Sequence, residues 1–243
     1  MNLTAAQWAL GAVAAFLVGF VKSGVPGLGI LIVPVMATAF PAKQSVGVLL
    51  PMLVAGDIFA VVYYRRHALW PQIGRLLAGV APGILIALWT LRHISDAQLK
   101  PLLGALVLAL VALELGRQKF SWPILHHWSF AAAAGVVTGF ATTVGNLAGP
   151  VAAVYFVSKD LDKKAFVGTF AWLFLILNVT KLPIFVGLGM ITPASLWFNA
   201  LLLPAIALGA VAGRWALPRI PEQTFARLVL ILAAIAGVQL ILR

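Results

Sequence analysis

GFVKSGVPGLGILIVP, residues 19–34, interrupts an apolar run of membrane type with a lysine and with Gly24, Pro26, Gly27 and Gly29. A second interruption, GFATTVGNLAGP, occupies residues 139–150, and its Gly139-Phe140 repeats Gly19-Phe20 at an offset of 120. Helix breaks at matching places in two halves of an apolar chain are a mark of transporters. Hydrocarbon cannot satisfy the backbone groups that a break sets free, so such breaks must face protein or a watery cavity.

Composition around the breaks sets the class. Hydrophobic residues make up 63% of the 243 and charged residues only 9%, with a mean hydropathy of +1.06. A soluble domain of ordinary make-up carries about 25% charged residues, and its interior is too small to hide this much apolar surface. The chain therefore reads as an all-α integral membrane protein. Apolar runs bounded by charges or turn residues give ten helical segments, at 5–21, 28–40, 44–64, 70–91, 97–116, 128–143, 148–158, 164–188, 193–213 and 222–242. Spanning takes about 20 residues. The second and seventh segments are too short to span, and the first and sixth are marginal, so a broken helix or re-entrant pair opens each half. Residues 1–243 read as a single membrane transport domain, with one repeat over 5–116 and another over 128–242. Met1–Gln7 lacks the basic stretch of a cleavable signal, so the first segment is expected to be retained. With no cysteine in the chain, thiolate metal sites and thiol catalysis are excluded.

Further matches support a duplication. Lys43 pairs with Lys163 at 120, Gly47 with Gly168 and Asp57 with Asn178 at 121, Pro82 with Pro204 at 122, and Ile94-Ser95-Asp96 with Ile220-Pro221-Glu222 at 126. A slowly growing offset is what small loop insertions leave behind. With an odd number of crossings per half, Arg65, Arg66, Arg75, Arg117, Lys119, Lys159, Lys163, Lys164, Arg214, Arg219 and Arg227 share one face. Lys43, Arg92, Lys100 and Arg243 take the other. The rule that cytoplasmic loops carry the excess of Lys and Arg selects this partition. Inverted repeats follow, with both termini outside and the basic loops in the cytoplasm. The net charge of +11 is thereby absorbed by topology, and nucleic acid is not an expected partner.

A helix that restarts after a break aims free N–H groups and its positive dipole end into the cavity, which suits an anion. The candidate substrate site takes Lys22, Ser23, Gly24, Gly27 and Gly29 from the first break, and Thr142, Thr143, Gly145 and Asn146 from the second. Lys22 is either a buried cation of that site or a solvated loop lysine. Asp57 is the acidic residue deepest in a span, either a coupling group or a structural ion-pair partner, with Asn178 as its counterpart. Lys181 either adds positive charge to the cavity or snorkels to the interface. Glu114 and Arg117 read as an interfacial pair. His126-His127, His67 and His93 have no carboxylate to complete a metal site, the glycine-rich breaks lack the phosphate-loop lysine, and no catalytic set is present. Neither an enzyme, a metal, a nucleotide nor another cofactor is expected.

At these residues the chain resembles the TauE/SafE (sulfite exporter, TSUP) family of membrane permeases. The resemblance rests on residues 19–34, on VLLPMLVAGDIFAVVYYRRH from Val48 to His67, on FVGTFAWLFLILNVTKLPIFVGLGMITP from Phe166 to Pro193, and on RIPEQTFARL from Arg219 to Leu228. It implies an inner-membrane carrier for sulfite, organosulfonates or related carboxylates, with Lys22, Asp57 and Lys181 at polar positions of the family pattern. The expected function is a secondary transporter of a small anion working by alternating access, either as a single chain or as a homo-oligomer. An anion channel, or a membrane subunit without transport, is the rival reading.

Overall fold

The computed structural model describes residues 3–23, 28–117, 128–157, 159, 161, 163–216 and 222–242. They form ten α-helices in the order α1 (Ala5–Ser23), α2 (Ile32–Ala39, entered through a 3-10 turn at Leu28–Leu31), α3 (Ala42–Tyr64), α4 (Trp70–His93), α5 (Asp96–Arg117), α6 (Trp128–Gly145), α7 (Gly149–Val157), α8 (Lys163–Gly187), α9 (Pro193–Ala216) and α10 (Glu222–Leu242). No strand occurs among the described residues. Counted over the described residues alone, six of these helices are long and apolar enough to cross a membrane, namely α1, α3, α4, α5, α8 and α9, and α10 contributes a shorter apolar stretch at Leu230–Leu242 to that count. The ten segments expected from hydropathy thus recur with ends shifted by a few residues.

Helix starts are written locally. Thr4 accepts from the Gln7 amide at 3.2 Å while Gln7 Oε1 accepts from the Thr4 amide at 3.0 Å. Ser95 and Gln98 repeat this reciprocal box at α5, and Thr192 and Ser195 do so at α9. Each box satisfies two N–H groups that a helix start leaves unpaired.

Gln7 Nε2 also donates to the Ala39 carbonyl at 2.9 Å. The start of α1 is thereby tied to the end of α2, so the two helices form a hairpin that turns at the first break. Gly47 at the start of α3 abuts the Met190 carbonyl just past α8, and Gly168 near the start of α8 abuts the Tyr64 carbonyl at the end of α3. α3 and α8 therefore run antiparallel.

Glycine sets how closely the other helices approach. A methyl group on Gly19 would lie 1.9 Å from the Ile206 carbonyl oxygen and 2.7 Å from the Ala210 nitrogen. One on Gly139 would lie 2.2 Å from the Val80 oxygen and 3.1 Å from the Ile84 nitrogen. Gly209 lies against the Phe16 oxygen and Phe20 nitrogen, and Gly83 against the Val136 oxygen and Phe140 nitrogen, in the same way. Both helix pairs, α1 with α9 and α4 with α6, run parallel with their backbones nearly touching. Small residues at such seams let packing, rather than the hydrophobic effect, hold helices together in lipid.

These contacts recur in the two halves at fixed offsets. Gly19, Phe16 and Phe20 map to Gly139, Val136 and Phe140 at 120, while Val80, Gly83 and Ile84 map to Ile206, Gly209 and Ala210 at 126. In packing, then, α4 corresponds to α9 at 126, and the sequence match of Pro82 with Pro204 at 122 sits one helical turn away. One core of buried residues draws on both halves, from Ala14 in α1 to Leu240 in α10.

Candidate functional site

Lys22 lies seventeen residues beyond Ala5, about 26 Å along α1 at ~1.5 Å per residue, far from the membrane face where the helix begins. Its ammonium is held at 2.6 Å by Asp57 Oδ1 of α3 and sits 4.6 Å from the centre of the Phe174 ring. The Lys22 side chain is 12% exposed and Asp57 fully buried. Gly56, one residue before Asp57, packs against Val18 and the Lys22 stem, which fixes the approach of the two helices. Of the two readings of Lys22, the solvated loop fails: the side chain is inside and paired. Asp57 balances it, and its other oxygen, Oδ2, accepts from Asn178 Nδ2 of α8 at 2.6 Å.

The second break is held by the other lysine. Lys181 is fully buried, so it does not snorkel. Its three N–H donors meet three acceptors at 2.8 Å each: the Thr142 carbonyl, Thr142 Oγ1 and Asn146 Oδ1. Asn146 ends α6 in a left-handed backbone conformation, φ 56°, which asparagine tolerates better than most residues. Its Nδ2 donates to the Val46 carbonyl of α3 at 3.0 Å, so a single side chain ties the second break to both long central helices.

The two halves thus use one device with the lysine moved. In the first, the cation is on the break (Lys22) and its acceptor on the long helix (Asp57). In the second, the acceptors are on the break (Thr142, Asn146) and the cation on the long helix (Lys181). At the offset of 121, Lys181 corresponds to Ala60 (181 − 121 = 60).

A cleft of about 700 Å³, counted with its open mouth, lies between the breaks. Lys22 and Gly29 line it from the first break, Thr142, Asn146 and Gly149 from the second, and Asn178 from α8. Most of the remaining wall is apolar, with Phe170 and Phe174 prominent, and among the described residues Lys22 supplies its one cationic side chain. The aromatic pair continues to Phe166 along α8 in successive ring contacts of 4.6 and 5.8 Å. Nothing in the sequence singled out these rings, since a Phe every four residues reads equally well as lipid-facing or core.

Of the residues expected at the site, Lys22, Gly29, Thr142, Asn146 and Asn178 meet in the cleft. Ser23 and Thr143 are buried beside it, and their hydroxyls have no partner among the described residues. They correspond at 120, one from each half. Gly145 instead packs against Leu103 and Leu147, and Lys181 stands behind the cleft wall, bonded to two residues that line it. Gly24 and Gly27 lie outside the described residues, as do His126, His127 and the Arg117 side chain; Glu114 is buried in α5. Among the described residues no group of three metal-binding side chains comes together.

The sulfite exporter TauE/SafE family model matches residues 11–240, nearly the whole chain and both breaks. The chain belongs to the TauE/SafE family. Curated proteins give no match to it. A TauE/SafE chain is a multi-pass membrane transporter, and both breaks, the polar cluster and the cleft all lie within the matched region.

Proposed function

We propose that the protein is a secondary permease for a small anion of the sulfite, organosulfonate or carboxylate class, bound in the cleft between the two helix breaks. The observation that carries this reading is the placement of Lys22. Two of its three N–H donors are not used by Asp57, and among the described residues it is the cation lining a largely apolar cleft walled by both breaks. Donors for the remaining anion oxygens stand nearby: the Thr142 hydroxyl, whose proton is free when Lys181 bonds its oxygen, and the Gly149 amide at the start of α7. Apolar walls suit the carbon side of an organosulfonate.

The halves are taken as inverted across the membrane, and the antiparallel run of α3 against α8 at equivalent positions supports this. Each half then crosses three times after a hairpin, with the basic loops at Arg65, Arg75, Lys159 and Arg214 in the cytoplasm and both termini outside. Alternating access would move one hairpin-bearing half against the other around the cleft. Asn146 keeps the groups through which it braces the break, so its part in substrate binding is to position Thr142 and α7.

Uptake by the purified protein in proteoliposomes tests the reading, with labelled sulfite, sulfate, thiosulfate, taurine, sulfoacetate and acetate compared. Saturable uptake of at least one sulfur oxyanion or carboxylate, reduced ten-fold or more by Lys22→Ala, is expected. Uptake that is equal in the parent and Lys22→Ala proteins would remove the cleft from the pathway.

A further inference from the structure

We infer that Asp57 is a proton-binding site that exchanges its lysine for a proton when an anion arrives, making transport a coupled entry of anion and proton. This rests on the cleft being the anion site. Asp57 Oδ1 has Lys22 as its partner and Oδ2 has Asn178 Nδ2. Asn178 Oδ1, in contrast, is a buried acceptor with no partner among the described residues. A carboxylate cannot satisfy that oxygen, because it has no proton to give. A carboxylic acid can. Protonated on the oxygen that now faces Lys22, Asp57 would accept from the Asn178 amide N–H and donate to the amide oxygen, closing the two-bond ring in which an acid and an amide pair. The orphaned acceptor is matched to the protonated state.

The sequence of events is set by burial. Lys22 reaches the cleft, whereas Asp57 does not. An anion in the cleft competes for the ammonium and draws it away from Asp57. A fully buried carboxylate left without its counter-charge is strongly disfavoured, and a proton from the cleft water is the available remedy. The charge balance closes: the anion replaces Asp57 as partner of Lys22, and the proton neutralises Asp57. Departure of the anion returns Lys22 to Asp57 and expels the proton on the same side. Other charges do not disturb this pairing. Lys181 of α8 is the remaining cation acting on Asp57, and its three donors are held at the second break. α2 carries no charge, while Asp96 of α5 and Arg214 of α9 sit at opposite ends of α3, on the Lys43 amide and the Tyr63 ring.

Proteoliposomes with an internal pH dye and the membrane potential clamped provide the test. Methanesulfonate and ethanesulfonate are the probes, because a sulfonate with no carboxyl beside it stays ionised and cannot itself ferry a proton, as sulfite does. In the parent protein, external addition of a transported sulfonate is expected to acidify the interior. An inward gradient of one pH unit should drive about ten-fold accumulation for one proton per anion. Asp57→Asn should lose both signals. Sulfonate flux in the parent without acidification or pH-driven accumulation would overturn the inference and leave the permease reading standing. Absence of flux for both probes, with sulfite and acetate also not carried, would overturn the permease reading itself. The parent measurements decide the matter even if Asp57→Asn fails to fold.

Discussion

Replacing Gly19 by alanine tests the helix seam that holds the first hairpin against α9. The added carbon would lie 1.9 Å from the backbone oxygen of Ile206, against about 3.4 Å for the near edge of ordinary van der Waals contact. Backbone cannot rotate away as a side chain does, so α1 and α9 must separate by roughly 3.4 − 1.9 = 1.5 Å at that point. Overpacking of this kind costs about 1–3 kcal/mol. The intrinsic preference of a helix for alanine over glycine returns about 0.5–1 kcal/mol. A net loss of about 1–2 kcal/mol corresponds to a fall of about 2–8 °C in the unfolding midpoint for a chain of this size. Gly139→Ala, at the equivalent contact of α6 with α4, should lose a similar amount. Gly74→Ala, where nothing lies within 4 Å of the new carbon, should be neutral or slightly stabilising. The assay is thermal unfolding of the detergent-solubilised proteins, followed by tryptophan fluorescence. Midpoints for Gly19→Ala and Gly139→Ala no lower than that of Gly74→Ala would refute the reasoning.

Lys181→Met should lower the unfolding midpoint and transport together, because it takes the donor from Thr142 Oγ1 and Asn146 Oδ1 at the second break, each worth about 1–3 kcal/mol when left unsatisfied, while the Thr142 carbonyl keeps the Asn146 amide at 3.0 Å. A wild-type midpoint would show that the three bonds contribute nothing. Asn146→Gly keeps the left-handed backbone and loses the bridge, whereas Asn146→Ala loses the bridge and adds strain of about 1–2 kcal/mol. The alanine variant should therefore unfold below the glycine variant by that margin, and equal midpoints would discount the strain. For topology, single cysteines at Ser95 and His67, both exposed, can be labelled in intact cells with an impermeant reagent. Reaction at 95 and not at 67 is expected, and reaction at both from the same side would contradict the crossing pattern.

Most of the fold was legible in the sequence because lipid imposes one rule on every span. Runs of about 20 apolar residues, ended by charge or by glycine and proline, marked the helices within a few residues, and 28–40 and 148–158 stood out as too short to span. Lys22 and Asp57 stood out because charge inside a membrane is costly. What the sequence hid were the pairings. Lys181 is 39 residues from Thr142 and 35 from Asn146, on another helix, and no spacing rule connects them. Transfer of the lysine from break to long helix between the halves also defeats a search for identities, since Lys22 aligns with Thr142 and Lys181 with Ala60. The register of α4 on α9 was displaced by a turn for a related reason. Two prolines at 122 are conspicuous, while the backbone contacts of Gly83 and Gly209 that set 126 leave little trace in residue type.

Counterflow is the most direct test of a carrier that binds its anion between the breaks. Proteoliposomes loaded with a high concentration of an unlabelled transported anion are diluted into a trace of the same anion in labelled form. Transient accumulation of label above equilibrium, abolished by Lys22→Ala, is the expected result. Label that equilibrates without overshoot, at a rate unaltered by Lys22→Ala, would contradict both the carrier and its site.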